Sequence, residues 1–266
     1  MFPTSTYVPY NMLTTQHTEA EIAGTEISSV QWAKNLLNCP APFQIISEIP
    51  WRCFKIIPVT FSNNKIAELF TESKNLCESG KYEEALVKIE KGLKEINISD
   101  SRHSLHSKRM LIPILRYFKC MKAVALFGQG NFKNAIKDFS FICAVATTTG
   151  SSINLQIRAL LRDWAACWHA RCFMHITLSN IEKADDHTEN ETLFGAVQKM
   201  FNMYMVGRAH EPYEPSIHEE FLISFAIAHI FEDDMQTCRE YLHQVQVEKN
   251  HYLYPAIQDI LGSPNK

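Results

Sequence analysis

Glycine and proline are scarce. The chain has 9 Gly and 11 Pro among 266 residues, well under the roughly 12% that the two usually make up. Turn-rich β-sandwiches, collagen-like repeats and linker-dominated chains need more of both and are disfavoured at once. Long apolar runs are missing too. No window holds 18 consecutive uncharged apolar residues, so no membrane span is expected. The formal net charge is only −3, so no overall field argues for nucleic acid. Residues 1–25 contain no Lys or Arg and no apolar stretch of leader length, so no signal or transit peptide is expected. Eight cysteines in such a chain are expected to be reduced thiols in the cytoplasm, with the nucleus as the alternative.

What is present divides into two regimes. Six prolines fall in the first 58 residues: Pro3, Pro9, Pro40, Pro42, Pro50 and Pro58. From 59 to 211 there is one, Pro113. Residues 1–61 therefore read as an N-terminal arm. Its polar start, 1–25, is expected to be flexible. A short helix is expected over 26–38, with Ile27, Val30, Ala33, Leu36 and Leu37 on one side. Residues 39–61 alternate prolines with Phe43, Ile45, Ile46, Ile49, Trp51, Phe54, Ile56 and Ile57. This stretch is too apolar for a solvated linker, and we read it as an extended segment packed along the outside of the helical region that begins at residue 62.

From residue 62 the apolar spacing turns helical. Ile66, Leu69, Phe70 and Leu76 share one face, which ends at Ser79-Gly80; Tyr82, Ala85, Leu86, Ile89 and Leu93 share the next. Tyr117, Cys120, Met121, Val124 and Phe127 repeat the first face, and Phe132, Ala135, Ile136, Phe139 and Ile142 repeat the second. A long helix from about Ser152 past Leu178 is apolar on nearly every side, the pattern of a helix buried between neighbours. Further helices are expected over 191–206, around Phe221–Phe231, over Met235–Val245, and as a short cap within 251–266.

Two segments repeat at a shift of 50. Leu69, Ser73, Leu76, Gly80, Tyr82, Ala85, Ile89 and Gly92 are matched by Lys119, Ala123, Leu126, Gly130, Phe132, Ala135, Phe139 and Ile142. The small residues let paired helices approach, and the glycines permit a tight reversal. With Cys77-Glu78-Ser79-Gly80-Lys81-Tyr82-Glu83-Glu84-Ala85 as its turn, this pattern resembles the tetratricopeptide repeat (TPR). Weaker matches occur at Trp168, Cys172, Ile181 and Ala184, and at Leu222, Ala226, Met235, Cys238, Leu242 and Val245. The resemblance implies an all-α, TPR-like α-α hairpin solenoid over 62–250. Ordinary TPRs repeat every 34 residues, so the helices or loops here are longer. Many TPR domains clamp acidic peptides with polar side chains on their first helices. Of the matching positions here, Phe70, Lys74, Met121, Ala166 and Ala170, only Lys74 carries such a side chain.

Several clusters invite a chemical reading. Cys167, His169, Cys172 and His175 are dense, but there is no second ligand pair of the kind structural zinc sites show, so core packing is expected and metal is not. His103 and His106 read as solvated surface. Gly128-Gln129-Gly130 lies between two helices rather than after a strand, which does not fit a phosphate cradle. Asp185-Asp186 and Glu232-Asp233-Asp234 fit loop and helix-capping roles better than acid–base catalysis. No catalytic residues and no cofactor are expected, and the chain is not read as an enzyme.

Charge is segregated along the chain. From Arg102 to Arg171 there are 11 Lys and Arg against two acids, and from Glu182 to Glu240 there are 13 acids against four bases. Either the halves neutralise one another, or Arg109, Arg116, Lys119 and Lys122, with Lys74, line a groove for an acidic peptide. The expected function is a protein–protein interaction scaffold within a larger complex. A nucleic-acid-associated helical repeat using the same basic patch is the disfavoured alternative.

Overall fold

The computed structural model describes residues 22–39, 42–56, 64–102, 105–147, 155–182, 195, 215–246, 248–249 and 251–262. Among them are ten helices and no strand, which makes the protein all-α. They are α1 (Ile22–Leu37), α2 (Pro42–Ile56), α3 (Asn64–Glu78), α4 (Tyr82–Arg102), α5 (Leu105–Gly128), α6 (Phe132–Thr147), α7 (Leu155–Glu182), α8 (Pro215–Phe231), α9 (Met235–Gln244) and α10 (Tyr254–Gly262). None of the described helices is long and apolar enough to cross a membrane. The helix expected over 191–206 and the acids Asp185-Asp186 lie outside the described residues, apart from Gly195.

Helices α3 to α7 pack in sequence order, each against the next. The α3–α4 and α5–α6 turns have the same geometry. Lys81 N–H donates to Leu76 O at 2.9 Å and Gly80 N–H to Cys77 O at 3.0 Å; Asn131 N–H donates to Leu126 O at 2.8 Å and Gly130 N–H to Phe127 O at 2.9 Å. These two bonds satisfy carbonyls left open at a helix end, and they need a left-handed residue. Gly80 (φ +72°) and Gly130 (φ +76°) supply it. The small residues Ser73, Ala85, Ala123 and Ala135 are fully buried between the paired helices.

The weakest of the sequence matches reproduces the same turn. Between α8 and α9, Asp234 N–H donates to His229 O at 2.9 Å and Asp233 N–H to Ile230 O at 3.2 Å. Asp233, at φ +59°, stands where the glycines stand in the other two turns; a short polar side chain tolerates that conformation better than most. Asp234 then caps α9, its carboxylate accepting from Thr237 N–H at 3.0 Å. By contrast, the match through Trp168, Cys172 and Ile181 places a turn at Ser179, and α7 runs through that position to Glu182. Serine there has no cheap access to the left-handed region, so the helix continues.

Two apolar cores share α7. Trp164, Cys167, Trp168 and Cys172 join the core built with α2 to α6. Ala170, Met174 and Leu178 join the core built with α1, α8, α9 and α10. A helix facing two cores must be apolar nearly all round, as the pattern of α7 predicts.

The arm departs from expectation. Residues 42–56 form a helix, not an extended segment. Pro42 opens it at a position where a missing N–H costs nothing. Phe43, Ile46, Ser47, Pro50 and Cys53 recur at helical spacing and are all buried. Pro50 removes the N–H that would bond the Ile46 carbonyl, and the indole Nε1 of Trp164 donates to that oxygen instead, at 2.6 Å. An intact tertiary contact thus lets a proline stand inside the helix. Residues 1–21 and 57–61 lie outside the described residues.

Candidate interaction surface

The first helices of the α3–α4 and α5–α6 hairpins, together with α7, present a common face. Helix α2 lies across it and contacts all three. The arm therefore docks in cis. Trp51 of α2 stacks on Tyr117 of α5 (5.9 Å between centroids, 28° between planes) and meets Phe70 of α3 edge-on (5.9 Å, 84°). Phe70 in turn meets Tyr117 and Phe118 edge-on at 5.4 and 5.8 Å. Aromatic pairs of this kind add stabilisation beyond the area they bury. Gln44 Nε2 donates to the Glu78 carbonyl at 3.1 Å, closing the C-terminal end of α3. Helix α2 is amphipathic: Phe43, Ile46 and Cys53 are buried, while Gln44, Glu48 and Arg52 are exposed.

Of the residues expected to line a basic groove, Lys74, Lys119 and Lys122 are held in ion pairs and Arg116 is buried. Arg116 is buried, at 8% exposure. Lys119 pairs with Asp138 at 2.8 Å, and Lys122 pairs with Glu90 and lies 3.8 Å from Asp138. Lys74 pairs with Glu78 one turn along its own helix, at 2.7 Å. The side chain of Arg109 lies outside the described residues. The cause is packing. Helix α5 is flanked by α4, α6 and α2, so Lys119 and Lys122 emerge beside its neighbours, where Glu90 and Asp138 meet them. The two charged halves also meet directly through Arg171 and Glu220, at 2.5 Å.

The Cys/His cluster is a packing feature. Cys167 and Cys172 are fully buried, and burial pushes both thiols well above the ordinary range. That disfavours the thiolate, the form that binds metal or attacks. His169 meets Phe173 edge-on at 5.0 Å, and His175 stacks flat on Phe132 at 4.2 Å. Burial lowers both imidazoles to about 4, with Arg171 adding to the effect at His175. All eight cysteines are free thiols. His103, and the side chain of His106, lie outside the described residues.

A buried network escaped sequence reading. Arg171 is 2% exposed. Its Nε and Nη2 donate to Glu220 Oε2 at 3.2 and 2.5 Å, and its Nη1 donates to the Leu36 carbonyl at 2.7 Å. Tyr252 donates its hydroxyl to Glu220 Oε1 at 3.3 Å. One guanidinium thus ties α7 to α1 and α8, and Glu220 extends the tie to the segment before α10. The available signal was an arginine in the middle of a helix that is apolar on nearly every side. No family model, no curated protein and no solved structure matches the chain.

Proposed function

We propose that the protein is a non-enzymatic protein–protein interaction scaffold, built as a TPR-like array of helical hairpins. The docking of α2 across α3, α5 and α7 carries this reading. A face that accepts an amphipathic helix through Phe43, Ile46 and Trp51 has the chemistry of a helix-in-groove receptor. In this chain the first occupant is its own arm. Three turns of one geometry support the repeat architecture, because hairpins of this kind hide their apolar faces only by stacking. The ion pairs of Lys119 and Lys122 favour a partner held by apolar contacts over an acidic peptide or a nucleic-acid backbone.

The test is affinity purification of the tagged full chain with nuclease treatment, followed by mass spectrometry and size-exclusion chromatography. A protein partner that co-elutes stoichiometrically is expected. Elution of the chain alone overturns the scaffold reading. A nucleic-acid ligand whose affinity falls linearly on a log–log salt plot turns the assignment to the alternative.

A further inference from the structure

A second feature lies where α2, α7 and α8 meet. There is a cleft of about 190 Å³ between these helices. Its apolar walls include Ile45 and Ile49 of α2 and the indoles of Trp164 and Trp168 of α7. Glu48 of α2 and Glu219 of α8 are among its lining residues, with Ser216 and His251 as further polar ones. Among the described residues neither carboxylate has an ion-pair partner. Glu220 also borders the cleft, but its charge is answered by the buried Arg171. Burial, and then the neighbouring Glu220, raise the Glu219 carboxyl above its ordinary value.

We infer that this cleft receives a basic side chain, lysine or arginine, from a partner protein. The assignment rests on the scaffold reading above and gives the partner its chemistry. Clefts that hold drug-sized ligands and cofactors run to about 300–1,000 Å³; this one is side-chain-sized. Its walls suit the methylene stem of a long basic residue, and the stem buries well while the charged head stays at a polar rim. Two unanswered carboxylates at a partly dry rim attract a cation, and a bound cation relieves the Glu219–Glu220 repulsion. Indole rings are the best aromatic surface for a cation. Trp168 already has Arg171 near its ring, at 5.9 Å. This site is opposite in sign to the basic groove that the sequence suggested.

The probes are hexalysine, hexaarginine, side-chain-acetylated hexalysine and hexaglutamate, titrated into the full chain. The indole N–H resonances of Trp164 and Trp168 are the readout. The basic peptides should shift both resonances saturably, and acetylated hexalysine and hexaglutamate should not. Glu48→Gln and Glu219→Gln should each weaken binding about tenfold, the size of one lost charge-assisted hydrogen bond. Glu83→Gln, on the exposed start of α4, should change nothing. Glutamine variants that bind as tightly as the parent, or shifts at neither indole, overturn the cleft. Lys183, Lys199 and Arg208 are the Lys and Arg residues of the sequence between α7 and α8; binding seen only after all three are changed to Gln assigns the cleft to that part of this chain and overturns the partner. A captured partner that is retained by both Gln variants sinks the cleft but leaves the scaffold reading standing. Absence of any captured partner sinks the scaffold reading, and the partner assignment with it.

Discussion

The indole of Trp164 donates to the carbonyl of Ile46, 118 residues earlier, across 2.6 Å of buried interior. Pro50 explains why that oxygen is available, since it brings no N–H to the helix turn. Trp164→Phe should therefore leave a buried carbonyl without a donor and cost about 1–3 kcal/mol in urea unfolding. In a Pro50→Ala background the new N–H can bond Ile46, and the same Trp164→Phe change should cost less. A double-mutant cycle measures the difference; equal losses in the two backgrounds would show that Pro50 has no part in the contact.

The three hairpin turns make opposite predictions for the same backbone position. Gly130→Ala meets no neighbouring atom, so its loss is backbone strain alone, about 1–2 kcal/mol. Asp233→Gly should relieve strain at φ +59° and raise stability by up to about 1 kcal/mol. Thermal and urea melts of both variants check the pair. An Asp233→Gly protein less stable than the parent would mean that the aspartate side chain contributes more than its backbone costs.

Glu220→Gln removes the charge that answers a buried guanidinium. Breaking such a pair costs about 3–5 kcal/mol. Arg171→Lys retains the charge but not the fork that reaches Glu220 and Leu36 together, so it too should destabilise, with a smaller loss. Hydrogen exchange should localise the damage to α1 and α8, the helices that Arg171 joins to α7.

Acid should weaken the fold through His169 and His175. Both are neutral in the folded chain down to pH about 4, whereas an unfolded histidine takes its proton near 6.5. The unfolded state therefore binds more protons between those limits. The stabilisation is complete above pH 6.5, falls as the pH drops to about 4, and changes no further below that. Each group adds a slope approaching ~1.4 kcal/mol per pH unit. His175→Phe keeps a ring against Phe132 and should remove one histidine's share of the slope. Urea unfolding at pH 7, 6 and 5 measures it, and an unchanged slope would rule out His175.

Periodicity made the repeated hairpins legible, because Ser73, Ala85, Ala123 and Ala135 report locally how closely two helices pair. It missed α2 for a physical reason. Proline is read as a helix breaker because it removes a local hydrogen bond, and the replacement donor comes from Trp164, far along the chain. It also ranked the match at Ser179 above the one at Asp233. Aspartate reaches the left-handed conformation more easily than serine, though not as freely as glycine, and nothing in the apolar pattern records that. The charge halves were visible as composition, but where each charge ends up was not, because Glu90 and Asp138 belong to the helices on either side of α5.

By itself the sequence determined the helical class, the two glycine turns, the buried and mostly apolar α7 and the small residues between paired helices. Each follows from interactions within a few residues of the chain. Only the tertiary structure decided that residues 42–56 are a helix packed across α3, α5 and α7, that Lys119 and Lys122 are answered internally, and that Glu48 and Glu219 line one cleft. The seating of the arm depends on contacts more than a hundred positions apart, such as Ile46 with Trp164 and Leu36 with Arg171, and the α5 pairs on neighbouring helices, as Lys119 with Asp138; local pattern carries no record of either.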